Sequence, residues 1–114
     1  MYQIGGVKIS IEDHTLISGD PLLPKLFSKV IKCSDINSIE AEVQMKRMYK
    51  ERGPLGRDVP FTYLFAYLNG GKMVTLAKEW GDNNYLRYRA IAQELKKQVV
   101  MDNMQVRGIR DPKL

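Results

Sequence analysis

The chain has almost none of the residues from which disulfides, reactive thiols and zinc sites are built. It contains one cysteine, Cys33, and one histidine, His14, among 114 residues. A single cysteine excludes an intramolecular disulfide, and no Cys–His spacing suits a zinc site. Cys33 follows Val30 and Ile31, so we expect a small buried side chain and not a reactive thiol.

The sequence also lacks a long hydrophobic run. Its longest uncharged stretch, residues 59–71, is well short of the roughly 20 apolar residues that a membrane-spanning helix needs. The opening residues, MYQIGGVKIS, have neither the basic start nor the apolar segment of a secretory signal. We therefore expect no membrane contact and a cytoplasmic location, inside a host cell or virion if the protein is viral.

Catalytic motifs are missing as well. Residues 70–72 do not belong to a phosphate-binding loop, because Ala66 stands where its first glycine is required and Met73 where its Ser or Thr is required. Residues 12–14, Glu-Asp-His, are neighbours whose side chains diverge in a tight turn, so a solvated hairpin corner is expected there. We expect no enzyme, with no catalytic residue, no metal site and no cofactor.

The chain does have the composition of one soluble globular domain and an excess of basic over acidic residues. It is 44% hydrophobic and 27% charged, with a net charge of +5 and an isoelectric point near 9.4. A basic protein favours a polyanionic partner, although a solvated surface that keeps the protein in solution is the alternative. The basic residues form a middle group, Lys46, Arg47, Lys50, Arg52 and Arg57, and a later group, Arg87, Arg89, Lys96 and Lys97.

The N-terminal residues have the period of β-strands. Val7, Ile9 and Ile11 alternate with polar residues, which is typical of a half-buried strand. Turn-compatible residues separate this strand from residues 2–4 and 15–18, so the pattern predicts a short meander. Strands this short must pack on the elements that follow them.

The remainder of the chain predicts about five helices. Asp20 starts the first, whose apolar residues continue to Ile31. The second starts near Asn37 or Ser38 and extends to about Glu51, with acidic residues at its start and basic residues at its end. We expect a mostly helical α+β fold, with a single domain over residues 1–106, a hinge at 53–58 and a tail at 107–114.

The last three predicted helices, over residues 61–69, 72–80 and from 82 onward, have a helix-turn-helix pattern. Ala77 and Gly81 have the spacing of the small residue and the turn glycine, with Leu76 and Trp80 facing the core. We expect the aromatic residues of this segment to be core or interface anchors more than stacking partners for bases. The third helix has one arc of core-facing residues, Tyr85, Tyr88, Ala92, Leu95 and Val99.

This third helix presents polar side chains that suit contacts with bases and phosphates. Asp82, directly after the turn glycine, and Glu94, which would lie near phosphate, oppose that interpretation. The candidate nucleic-acid-binding residues are Asn83, Asn84, Arg87, Arg89, Gln93 and Lys97.

The same helix has apolar residues on a second face, and such surplus apolar surface indicates a partner or subunit contact. The candidate interface residues are Leu86, Ala90, Val100, Met101 and Met104. Two interpretations therefore stay open. One is a small, basic, non-enzymatic, oligomeric protein that binds nucleic acid through its helix-turn-helix-like C-terminal half. The other is a protein–protein adaptor, such as a viral or structural assembly component, with no nucleic-acid role.

Overall fold

The computed structural model describes residues 1–19, 28–48 and 57–107, which form two antiparallel sheets and one helix. The first sheet has four strands in chain order, and the second has three. Within these ranges the elements are β1 Tyr2–Ile4, β2 Val7–Glu12, β3 Thr15–Gly19, β4 Lys29–Lys32, β5 Ile36–Met48, β6 Arg57–Leu68, β7 Met73–Trp80 and α1 Tyr85–Arg107, with a 3-10 turn at Cys33–Asp35.

The four-stranded sheet begins with the predicted meander, which is present. Strand β2 pairs with β1 on one side and with β3 on the other, and β4 extends the sheet beyond β3. Asp13 and His14, between β2 and β3, both have positive φ values of 55° and 64°. Two such residues in succession form the turn whose twist matches a two-residue hairpin.

The three-stranded sheet is built on a long hairpin. Strands β5 and β6 pair from Ile36 opposite Leu68 to Met48 opposite Arg57, and β7 pairs with the other edge of β6. The register of β6 and β7 shifts between Leu64 and Phe65, so Leu76 is an extra residue in β7.

One hydrophobic core joins both sheets to α1. Residues Ile9 and Leu16 come from the first sheet, while Ile39 and Leu64 come from the second. The buried side of α1 carries the arc that the sequence predicts, with Tyr88, Ala92, Leu95 and Val99 in the core and Tyr85 half-buried. The helix therefore packs against the inner faces of two sheets and leaves its opposite side to solvent.

The prediction of a mostly helical fold with about five helices is wrong. The second predicted helix is strand β5, where Ile39, Ala41, Val43 and Met45 lie on one face and alternate with polar residues on the other. This period of two is the signal of a strand. The acidic start and basic end of the segment, which also suit a helix dipole, led to the wrong assignment.

The helix-turn-helix prediction is also wrong, because its first two helices are β6 and β7. Gly70 and Gly71, with φ values of 93° and 91°, form the hairpin turn between these strands and do not end a helix. Gly81 has a φ of 92° and ends β7, where its N–H donates to the Pro60 carbonyl at 2.8 Å. Of the three helices predicted for this segment, only the last is a helix, and it is α1.

Three other predicted boundaries are affected. The helix from Asp20 lies mostly outside the described residues, and its last part, Lys29–Lys32, is strand β4. Of the hinge predicted at residues 53–58, the last two belong to β6 and the others lie outside the description. Arg107, predicted to begin a tail, is the last residue of α1. Among the described residues, no helix is long and apolar enough to cross a membrane.

Candidate functional site

A cleft of about 190 Å³ lies where the β2–β3 turn meets the last turns of α1. His14 Nδ1 lies 2.8 Å from Asp102 Oδ1 across this junction. The second oxygen, Asp102 Oδ2, is buried and has no hydrogen-bond partner within the described ranges. The cleft is lined by Asp13, His14, Thr15, Lys32, Ser34, Asp102 and Asn103.

The thiol beside this cleft is not arranged as a nucleophile. Cys33 is buried, as predicted, and burial followed by the negative charge of Asp102 raises its pKa to about 11. The thiol is therefore protonated at neutral pH. In a catalytic triad the base lies between the nucleophile and the acid. Here the acid, Asp102, interacts with both Cys33 and His14 and so lies between them. In residues 1–19, 28–48 and 57–107, no group of three or more potential ligands could hold a metal ion.

Of the predicted nucleic-acid-binding residues in α1, Arg89, Gln93 and Lys97 share one exposed side of the helix, whereas Arg87 lies apart from them. The Asn84 side-chain amide donates to Glu79, and Arg87 Nη2 donates to the Gln3 carbonyl at 3.2 Å. Arg89, two residues beyond Arg87, lies on the other flank of the helix.

Asn83 is exposed in the turn before α1, while Gln93 and Lys97 are exposed on the side opposite the core. Because α1 follows a strand, it has no first helix to support it across a DNA backbone. Contact of these residues with nucleic acid stays a prediction.

The predicted interface residues, by contrast, all lie on the solvent side of α1. Leu86 is 72% exposed and Met101 60%, and Ala90, Val100 and Met104 are also exposed. An open groove of about 540 Å³ follows the middle of this side. Its lining is Gln93, Glu94, Lys96, Lys97, Val100 and Met101.

A second surface, which the sequence reasoning missed, is the face of the three-stranded sheet turned away from α1. We call it the aromatic face, and its central row is Phe61, Tyr63, Phe65 and Tyr67 of β6. Ring centroids of successive residues lie 6.4, 5.1 and 6.2 Å apart, and the Tyr63 and Phe65 rings are stacked. Aromatic residues at every second position are the signal that could have revealed this face.

Trp80 makes one end of the aromatic face accessible. In the pairing of β6 with β7, Trp80 lies opposite Phe61, and their ring centroids are 5.2 Å apart. The indole is 54% exposed, whereas Tyr63 and Phe65 are buried. The expectation that Trp80 faces the core is therefore wrong, and the accessible platform is the Trp80–Phe61 pair.

Cationic side chains surround this end of the aromatic face. The Lys46 ammonium lies 5.5 Å from the centroid of the Tyr63 ring. Lys78 of β7 is exposed and pairs with Tyr63, so it belongs to the same face.

Carboxylates of β5 lie beside the middle of the aromatic row, where Glu42 pairs with Tyr63 and Glu40 pairs with Phe65. The Tyr67 hydroxyl donates to Glu42, and this hydrogen bond is the main cause that raises the pKa of Tyr67 to about 12. Glu40 accepts hydrogen bonds from Ser38 and, at 3.0 Å, from Lys96 of α1, and together they lower the pKa of Glu40. The β5 side of the row is therefore acidic from Tyr63 to Tyr67, whereas the exposed cations Lys46 and Lys78 lie beside Tyr63 and toward Trp80.

Comparison with known proteins adds no assignment to these surfaces. No protein-family model matches the chain, and neither a curated protein nor a solved structure matches it.

Proposed function

We propose that this protein is a non-enzymatic binding protein that holds single-stranded nucleic acid at the Trp80 end of the aromatic face. The observation that carries the proposal is the exposed Trp80 indole packed on Phe61 beside Lys46 and Lys78. Flat aromatic rings for bases and nearby cations for phosphates are the two components of single-strand binding surfaces.

The Trp80–Phe61 pair is suited to stacking because it is already ordered. Both residues lie in paired strands, so little side-chain freedom remains to be lost when a base stacks on the indole. Stacking on an aromatic side chain contributes about 1–3 kcal/mol per base. A duplex keeps its bases stacked inside, so the platform favours an unpaired strand.

The distribution of charge along the sequence favours the same partner. Residues 46–58 contain five basic and two acidic side chains, a net charge of +3 out of the +5 of the whole chain. Phosphate groups are attracted to such a concentration of charge. Glu42 and Glu40, opposite Tyr63 and Phe65, repel phosphate along the middle of the row, so we expect the strand to cross the Trp80 end and not to follow the whole aromatic row.

A titration with a fluorescent oligothymidylate of about 12 nucleotides tests this proposal, since single-strand sites span about 4–16 nucleotides. Trp80 is the only tryptophan of the chain, so its fluorescence reports on this surface alone. We expect oligonucleotide polarisation to rise and Trp80 emission to be quenched together. Affinity should fall as salt increases, with a slope of about −0.7 in log–log form for each phosphate contacted.

Matched variants distinguish stacking on the Trp80–Phe61 platform from nonspecific attraction to positive charge. Trp80→Leu should weaken binding by about 5- to 150-fold, the equivalent of one lost stacking contact. Lys78→Gln should reduce affinity and the salt slope, whereas Lys8→Gln, on the other sheet, should change both less. Full affinity in Trp80→Leu, or no binding of any single strand at low salt, would contradict the proposal.

The alternative role, a protein–protein adaptor with no nucleic-acid function, is favoured by one different observation. The exposed apolar residues of α1 lie on the side opposite the core, where the described part of the chain provides no cover. If every oligonucleotide fails to bind but the protein self-associates through α1, the adaptor role is the better account.

A further inference from the structure

The solvent side of α1 carries a continuous row that we call the exposed stripe. At 100° per residue its members fall within an arc of about 100°, opposite the buried Leu95. Its ends are eighteen positions apart in the helix, so the stripe is about 27 Å long. Its members are Leu86, Ala90, Gln93, Lys97, Val100, Met101 and Met104.

The exposed stripe is nearly symmetric about position 95. Leu86 and Met104 are each nine residues from that position, and Ala90 and Val100 are each five residues from it. Apolar residues therefore occupy both ends of the stripe at equal distances, and polar residues occupy its middle. A surface with this arrangement is complementary to itself when a second copy is rotated by 180°.

The charges in the middle fit the same rotation. Within one chain Glu94 and Lys97 already form an exposed pair, with Lys97 Nζ 3.6 Å from Glu94 Oε2. In an antiparallel helix pair centred on position 95, Glu94 of each copy lies within reach of Lys97 of the other. A parallel arrangement would instead place like residues opposite each other, so the charges favour the antiparallel one.

We propose that two copies of this chain associate through α1, with the helices antiparallel and a two-fold axis near position 95. Leu86 then packs on Met104 of the second copy, and Ala90 faces Val100 and Met101 at the usual interhelical distance of about 8–10 Å. A single helix pair is a small interface, so we expect a concentration-dependent dimer. This inference is independent of nucleic-acid binding, which uses the other side of the molecule.

The mass of the protein in solution, measured over a concentration series by sedimentation equilibrium, tests the dimer. Met101→Glu should raise its dissociation constant by about tenfold or more, because the dimer would bury an unpaired carboxylate. Gln105→Glu is the matched control, since Gln105 is exposed on α1 but lies outside the stripe. A monomer up to millimolar concentration, or an equal effect of both variants, would overturn the proposal.

Crosslinking tests the orientation of the helices. The single native cysteine is buried, so an introduced cysteine is the accessible thiol. Oxidising a mixture of Leu86→Cys and Met104→Cys chains should produce a mixed dimer, because these positions face each other. Either variant alone should remain uncrosslinked, since its two thiols lie about 27 Å apart. Crosslinking of either variant alone, without the mixed product, would show a parallel pair and overturn the proposal.

Discussion

Tyr88 joins α1 to both sheets, and removing its hydroxyl tests this account of the core. The side chain is fully buried, and its hydroxyl donates to Glu79 Oε1 of β7 at 3.1 Å. A β-carbon added at Gly5 would come within 2.6 Å of this hydroxyl, so the β1–β2 turn also packs closely on it. Tyr88→Phe keeps the ring and removes the hydrogen bond.

We expect Tyr88→Phe to lower the free energy of unfolding by about 1.5–3 kcal/mol, the range for a hydrogen bond to a charged group. Guanidinium denaturation followed by circular dichroism measures this difference. Tyr67→Phe is the matched control, because it also removes a hydroxyl–carboxylate hydrogen bond, but at the half-exposed end of the aromatic face. Its cost should stay below about 1 kcal/mol.

The difference in stability between wild type and Tyr88→Phe should depend on pH. Burial, followed by the charge of Glu79, raises the pKa of Tyr88 above its ordinary value of 10.0. The folded state therefore holds this proton more tightly than the unfolded state, so the stabilisation is complete below pH 10 and is lost as the pH rises above it. The free energy of unfolding of wild type should therefore exceed that of Tyr88→Phe by less as the pH rises above 10. A difference under about 0.5 kcal/mol at neutral pH would contradict a stabilising hydrogen bond between Tyr88 and Glu79.

Two further predictions concern buried polar groups. Ser18 Oγ donates to the Leu76 carbonyl at 2.7 Å and links the first sheet to the extra residue of β7. Ser18→Ala should therefore lower the free energy of unfolding, measured by denaturant titration, by about 1–3 kcal/mol. Ser10→Ala, at a more exposed serine, should lower it by less than about 0.5 kcal/mol. Cys33, buried and with its pKa raised to about 11, should resist alkylation in the native protein at neutral pH and react on unfolding; alkylation at the rate of a free thiol would contradict its placement.

Local patterns in the sequence predict two parts of the fold correctly. The alternation at Val7, Ile9 and Ile11 predicts the strand at the centre of the meander, because neighbouring side chains of a strand point to opposite faces. The arc from Tyr88 to Val99 predicts the buried side of α1, because its spacing follows the helical period. Both signals lie within a short segment and need no distant partner.

The middle of the chain was predicted wrongly because its local signals are ambiguous. Gly70-Gly71 suits the end of a helix as well as a hairpin turn, and Ala77 with Gly81 matches a helix-turn-helix spacing by chance. What decides between the two is the pairing of β5 with β6 and of β6 with β7 over their whole lengths. That pairing satisfies the backbone hydrogen bonds of residues that are far apart in the chain.

The small basic composition, the lone cysteine, the N-terminal meander and the two sides of α1 can all be read from local sequence, including the exposed residues from Leu86 to Met104. Which side chains meet depends on the tertiary structure. Phe61 and Trp80 form a platform because β6 pairs with β7, and His14 meets Asp102 because the β2–β3 turn packs on the end of α1. Contacts between residues so distant in the chain depend on strand register and helix packing, which no local period specifies.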